Sequence, residues 1–208
     1  MLQIFGKSSS INVRKVLWTC AEIGISYEHV EFGSGTSNST QSPEFLALNP
    51  NAMVPVLRDE FGTLWESNTI CRYLAARYQR LDLLPIDPMA RAQVEKWMDW
   101  QASDLNSAWR YVFMGLVRQH PHFQAPDKML DSATQWNRLM TIFDQHLQRG
   151  GPYAADKHFT LADVVLGLSI NRWRSTPIEH AQLRHVDAYF DLLCERPAFL
   201  QFGANGTP

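Results

Sequence analysis

NPNAMVPVLRDEFGTLWESNTICRY, residues Asn49 to Tyr73, carries a proline where a strand begins and an acid–hydroxyl pair where a helix begins. Val54-Pro55-Val56-Leu57 is short, apolar and β-branched, which predicts a buried strand, and proline is tolerated only at a strand's start or edge. Asp59-Glu60-Phe61-Gly62 has tight-turn composition, and Thr63-Leu64-Trp65 returns as the second strand of a hairpin. Glu66-Ser67-Asn68 then introduces an amphipathic run, Ile70, Tyr73, Leu74, Arg77 and Tyr78. Ser67 is the expected N-cap, with a helix N-terminus behind it that favours anions. A proline-led strand beside such a helix start forms a pocket for a peptide-like ligand. The Val54 backbone pairs with a ligand amide there, and Ser67 with the helix dipole holds a carboxylate.

Working toward the N-terminus, the first 78 residues alternate strand and helix patterns. Leu2 to Phe5 reads as a strand, and Val13 to Ile23 as a helix with Val13, Val16, Leu17, Cys20 and Ala21 on one face. Gly24 ends that helix as a C-cap. Ser26 to Phe32 alternates as a second strand, 33–42 is a polar loop, and Pro43 to Leu48 is a short helix stopped by Asn49-Pro50. The resulting order, β-α-β-α-β-β-α, is the thioredoxin-like pattern, with a right-handed first crossover.

Beyond Pro88 strand patterns vanish. Met89 to Arg118, Asp127 to Arg149, Thr160 to Trp173, Ile178 to Glu195 and Pro197 to Phe202 read as helical regions, so the fold class is α/β followed by all-α. The expected division is residues 1–79, a linker over 80–88 containing two prolines, and a helical bundle over 89–208. Thr160-Leu161-Ala162-Asp163 is a capping box, flanked by Phe159 and Val164 at the positions of a hydrophobic staple. Five of the seven tryptophans fall in this half, where core packing is the first explanation for each.

The 208 residues carry 45% hydrophobic and 19% charged side chains, as a globular protein does. A net charge of −2 supplies no basic field for nucleic acid or an acidic membrane surface. No apolar run approaches the roughly 20 residues of a transmembrane helix. The first seven residues lack the charged-then-apolar order of a signal peptide, which predicts a cytoplasmic protein. Three widely spaced cysteines show neither C-x-x-C nor metal spacing, and Cys20 and Cys71 read as small buried hydrophobes. The seven histidines form no metal-binding set, and no metal is expected.

The N-P…V-P…E-S arrangement resembles the glutathione-binding half of the cytosolic glutathione transferases. The resemblance implies a cis bond before Pro55, which exposes Val54 to the cysteinyl amide of glutathione, and a γ-glutamyl site at Glu66 and Ser67. Lys7 to Val16 joins the first strand to the first helix and faces the ligand in a thioredoxin-like fold. A hydroxyl there, near the positive end of a helix, stabilises a thiolate. A free thiol titrates near 8.5, and each unit of lowering is worth about 1.4 kcal/mol.

Ser10, ahead of Arg14 and Val16, is similar to the serine motif S-x-x-x-R-x-V of theta- and phi-like transferases. Asn12 stands where theta-like enzymes often carry proline, and is similar to the S/T-x-N arrangement of bacterial and nu-like relatives. Ser10 is therefore the first candidate at the sulfur, Asn12 the second, and Ser8 or Ser9 the third. Met53 replaces a glutamine common in relatives, and Gln41 falls where many place a basic residue for the glycyl carboxylate.

The resemblance implies conjugation of glutathione to a hydrophobic electrophile, with Trp109, Tyr111, Phe113 and Trp173 as candidates for its pocket. It also implies a homodimer, in which Asp99 or Asp104 of one subunit approaches the glutathione amine held by the other. Two further readings stay open: a glutathione-dependent disulfide reductase, suggested by Asn12, and a non-catalytic glutathione-binding protein.

Overall fold

A computed structural model describes residues 1–155 and 157–208. Its backbone divides into two compact units, Met1–Pro85 and Ile86–Pro208.

The first unit is a four-stranded sheet of β1 (Gln3–Phe5), β2 (Glu28–Val30), β3 (Val56–Asp59) and β4 (Gly62–Trp65), in the order β2-β1-β3-β4. Strand β1 pairs parallel with β2, placing Phe5 opposite Val30, and antiparallel with β3, placing Phe5 opposite Val56. Helices α1 (Ile11–Ile23), α2 (Pro43–Leu48) and α3 (Ser67–Arg77) complete the thioredoxin-like order. Phe5 and Val56 point to one face, where Phe32 and Phe45 pack on them with ring centroids 4.9 Å apart. Their sequence neighbours Ile4 and Leu57 point the other way, and all accessible surface is lost at both, as the two-residue period requires. Helix α1 buries Val13, Val16, Leu17 and Cys20 and packs against α3. It stops where Gly24 adopts a left-handed φ of 80°.

Three local expectations are corrected. Strand β2 is three residues long, not the seven of Ser26 to Phe32. Beyond Val30 the backbone bonds within its own loop, through Asn38 Nδ2 to the Glu31 carbonyl at 2.8 Å and Gly33 N–H to the Asn38 carbonyl at 2.9 Å. This frees Phe32 for the aromatic core. Strand β3 begins at Val56, after Val54-Pro55, because proline has no N–H to give the ladder. The β3–β4 turn closes through Asp59 Oδ1, which accepts from Phe61 N–H at 2.8 Å and Gly62 N–H at 3.2 Å. Third, Ser67 is not the N-cap of α3. It is the first helical residue, and Glu66 occupies the cap position.

The second unit is helical: α4 (Pro88–Trp100), α5 (Asn106–Leu116), α6 (Pro126–Arg149), α7 (Leu161–Ser175), α8 (Arg184–Cys194) and α9 (Pro197–Phe202). Where one helix was expected from Met89 to Arg118, a π-helical turn at Gln101–Leu105 separates α4 from α5. Helix α7 is the core element, with Leu161 through Trp173 all buried. The Asp163 carboxylate accepts from the Thr160 N–H at 2.7 Å and hydroxyl at 3.1 Å. It also accepts from the Ala154 N–H at 2.7 Å and the Tyr189 hydroxyl at 2.8 Å. Burial pushes this carboxyl up, against the pull of these donors.

Helix α8 begins at Arg184, not Ile178. The intervening chain is tied to α6 by Asn137, whose Nδ2 donates to the Glu179 carbonyl at 2.8 Å and whose Oδ1 accepts from the Ala181 N–H at 3.3 Å. Among the described residues no helix is long and apolar enough to cross a membrane.

Candidate active site

A cleft of about 150 Å³ opens in the first unit where three segments meet. The first turn of α1 contributes Asn12, the loop before β3 contributes Asn49, Asn51 and Met53 to Pro55, and the head of α3 contributes Glu66 and Ser67. The Val54–Pro55 peptide bond is cis. Val54 lies just before the first β1–β3 pair, so its backbone is outside the ladder and borders the cleft.

Two residues with positive φ flank the cleft, Ala52 at 55° and Glu66 at 73°. Non-glycine residues in this region store backbone strain and concentrate at ligand sites. Glu66 makes no side-chain cap bond to α3. The head of α3 lines the cleft, and the positive end of its dipole favours an anion there.

The β1–α1 loop is braced from outside. Ser8 N–H donates to the Glu31 carboxylate at 3.1 Å, and Lys7 Nζ to the Ser34 carbonyl at 3.2 Å. Gly6, at φ 142°, lies at the point of closest packing in this arrangement. A Cβ on it would lie 2.6 Å from Val13 Cγ2 and 2.8 Å from Val54 Cβ. Only glycine lets the Val54 segment come this close to α1. Sequence pattern gave no sign of that, since the colliding atoms come from residues 7 and 48 positions away.

The expected site residues separate into two groups. Asn12, Met53, Val54, Pro55, Glu66 and Ser67 line one cleft. Ser9 and Ser10 are half-buried on the loop leading to Asn12, outside the lining set. Ser10 is the N-cap of α1, without a side-chain cap bond, and its carbonyl accepts from the Arg14 N–H at 2.9 Å. Gln41 is exposed ahead of α2, its N–H donating to Ser39 Oγ at 3.1 Å. Asp104 belongs to the second unit, exposed on the π turn and accepting from Ser103 Oγ at 3.0 Å. Met53 is 63% exposed and has no side-chain donor to offer. Asn49 and Asn51 were not singled out from the sequence, yet both line the cleft.

Of the aromatic residues proposed for a second pocket, Phe113 and Trp173 are buried in the helical core. The Trp173 indole N–H donates to Asn137 Oδ1 at 2.9 Å, and the Trp109 indole N–H to Asn106 Oδ1 at 3.0 Å. Arg172 stacks between Trp109 and Phe113, 4.4 and 4.2 Å from their ring centres. These contacts account for Trp109, Phe113 and Trp173 as packing residues.

A thioredoxin-like unit with a cleft at the head of α3, followed by a helical unit, defines a two-part class of α/β plus all-α proteins. Comparison identifies the family. Residues 1–76 match the family described as glutathione S-transferase, N-terminal domain. The chain is 34% identical to glutathione S-transferase GstB of Escherichia coli K12 over 204 residues, covering 95% of each. It is 33% identical to glutathione S-transferase 3 of Zea mays, covering 95% of this chain and 91% of that one. Among solved structures it superposes on the theta class glutathione S-transferase of the citrus canker pathogen Xanthomonas axonopodis pv. citri with glutathione bound. That match has a TM-score of 0.89 at 37% identity and covers 97% of this chain and 96% of the other. The chain belongs to the glutathione S-transferase family.

Proposed function

We propose that this protein is a glutathione transferase that presents the glutathione thiolate to a hydrophobic electrophile. The observation that carries the reading is the shared cleft. Asn12, Val54, and the Glu66–Ser67 pair were assigned separately to the sulfur, the cysteinyl amide and the γ-glutamyl group, and all of them line it.

Binding follows from the groups available. The Val54 backbone pairs with the cysteinyl amide, the Glu66 carboxylate pairs with the α-ammonium, and Ser67 with the α3 N-terminus holds the α-carboxylate. Gln41 meets the glycyl carboxylate as a neutral group, a weaker partner than a lysine. Ser8 or Ser9, on the loop leading to Asn12, is the third candidate for the sulfur contact. Ser10, with Asn12 assisting, donates to the sulfur at the positive end of α1, which favours thiolate over thiol. The thiolate attacks the electrophilic carbon, a carbon–sulfur bond forms, and the leaving group departs with its electron pair.

The chain's own thiols are poor substitutes for that nucleophile. Burial pushes Cys71 up to about 11 even with the Thr19 hydroxyl donating to it, and pushes Cys20 higher still. We also propose a homodimer that brings the Glu66-to-Tyr78 helix against the partner's 89–104 helix, with Asp104 near the partner's glutathione amine. Trp65 and Tyr78 keep 41% and 37% exposure in the single chain, surface that such a contact would cover.

Asn12 lines the cleft and Ser10 does not, and this favours one second reading, a glutathione-dependent disulfide reductase. Parallel assays with a chlorinated aromatic and with a hydroxyethyl mixed disulfide test the pair. Faster conjugation supports the transferase; faster disulfide reduction supports the reductase. Absence of both, with glutathione bound, leaves a binding protein.

A further inference from the structure

Asn49 is 2% exposed, a fully buried carboxamide at the end of α2. A turn here needs only its backbone, whose carbonyl accepts from the Ala52 N–H at 3.0 Å. The side chain does something else. Its Oδ1 accepts from both the Asn51 N–H and the Asn51 Nδ2, each at 3.0 Å, and its Nδ2 donates to the Met53 carbonyl at 2.8 Å. Burying an amide is costly unless its groups are bonded, and these bonds go to the segment that enters the cleft.

The Met53 carbonyl and the Val54 N–H belong to one peptide unit. The only cis bond in the described chain is the next one, Val54–Pro55, so the Met53–Val54 unit is trans and its N–H points opposite to its carbonyl. Gripping the carbonyl therefore fixes the direction of the N–H. We infer that Asn49 is a positioning residue that turns the Val54 N–H toward the ligand, and so selects ligands carrying an amide carbonyl at the centre of the cleft. This rests on the glutathione reading above and extends it from which group binds to what aims it.

Replacing Asn49 by Asp keeps the shape and the acceptor for Asn51 but removes the donor to Met53. The test measures Kd for glutathione and for an analogue with a trans-alkene in place of the cysteinyl–glycyl amide. Wild-type protein should favour glutathione about tenfold, the worth of one well-aimed hydrogen bond. In Asn49→Asp the preference should shrink to within about twofold, with kcat at saturating glutathione changed less than KM.

A residue that merely stabilised the fold would weaken both ligands alike and leave the preference standing, which would overturn the inference. If Asn49→Asp does not fold, Asn49→Ser, too short to reach Met53, carries the same expectation and the same refutation. Wild-type protein that failed to bind glutathione would remove the functional reading, and this inference with it. Bound glutathione with an undiminished preference in both variants would remove this inference alone.

Discussion

Gly6 and Ser10 stand four residues apart, and their substitutions should fail in different ways. Gly6→Ala forces a Cβ into Val13 and Val54 at a φ that side chains rarely adopt. It should cost roughly 2–3 kcal/mol in urea unfolding and weaken glutathione binding together with stability. A variant as stable as wild type would mean that the loop relaxes freely. Ser10→Ala should leave stability and glutathione affinity nearly intact while conjugation falls by about one to three orders of magnitude, as expected for a lost anion-stabilising donor. Unchanged turnover in Ser10→Ala, with loss in Asn12→Ala or Ser9→Ala, would reassign the sulfur contact. Ser67→Ala should instead raise KM for glutathione more than it lowers kcat, since it acts far from sulfur. Calorimetry showing wild-type affinity would move the γ-glutamyl site elsewhere. That Val54, Pro55, Glu66 and Ser67 line one cleft was legible because their spacing is local. Gly6 and Asn49 were not, because what makes them matter is a neighbour brought close by folding.

At the level of elements, periodicity located the helices, and the departures trace to side chains remote in sequence. The helical region expected from Ile178 begins as α8 only at Arg184. Its real start is set by Asp144 on α6, whose Oδ1 accepts from the His185 N–H at 2.8 Å and the Val186 N–H at 3.0 Å. The cap position itself, Leu183, has no side-chain acceptor. The π turn between α4 and α5 was likewise invisible, since its residues suit an ordinary helix.

Asp144→Ala should cost about 1–2 kcal/mol, as loss of a cap does, measured by urea unfolding. The pH dependence has a definite sign. Burial would push the Asp144 carboxyl up, but the His185 side chain and the two N–H donors outweigh it and hold it below its ordinary value. A lowered carboxyl stabilises the fold above its unfolded value and loses that contribution as the pH falls through the folded one. The gap between wild type and Asp144→Asn should be level above about pH 5 and close below about pH 4. A gap that widened on acidification would contradict this capping account.

At the scale of the molecule, each unit has its own core, and the cleft is built wholly from the first. Composition and strand order sufficed to see one α/β and one helical part, because those classes bury residues with different periods. The electrophile site was not legible, because Trp109, Phe113 and Trp173 read the same in a core as in a pocket lining. The proposed dimer predicts sedimentation at twice the 23.8 kDa chain mass at micromolar concentration. A monomer under those conditions would end the dimer and, with it, the role of Asp104 in a partner's site.

The central claim is that one cleft binds glutathione with its sulfur at the start of α1, its cysteinyl amide on Val54 and its γ-glutamyl group at Glu66 and Ser67. A crystal structure of the glutathione-soaked protein tests this most directly. The account predicts the sulfur within hydrogen-bond distance of Ser10 or Asn12, and both polar groups of the Val54 backbone paired with the ligand. Ordered glutathione elsewhere on the chain, or in this cleft with its sulfur turned away from α1, would contradict it.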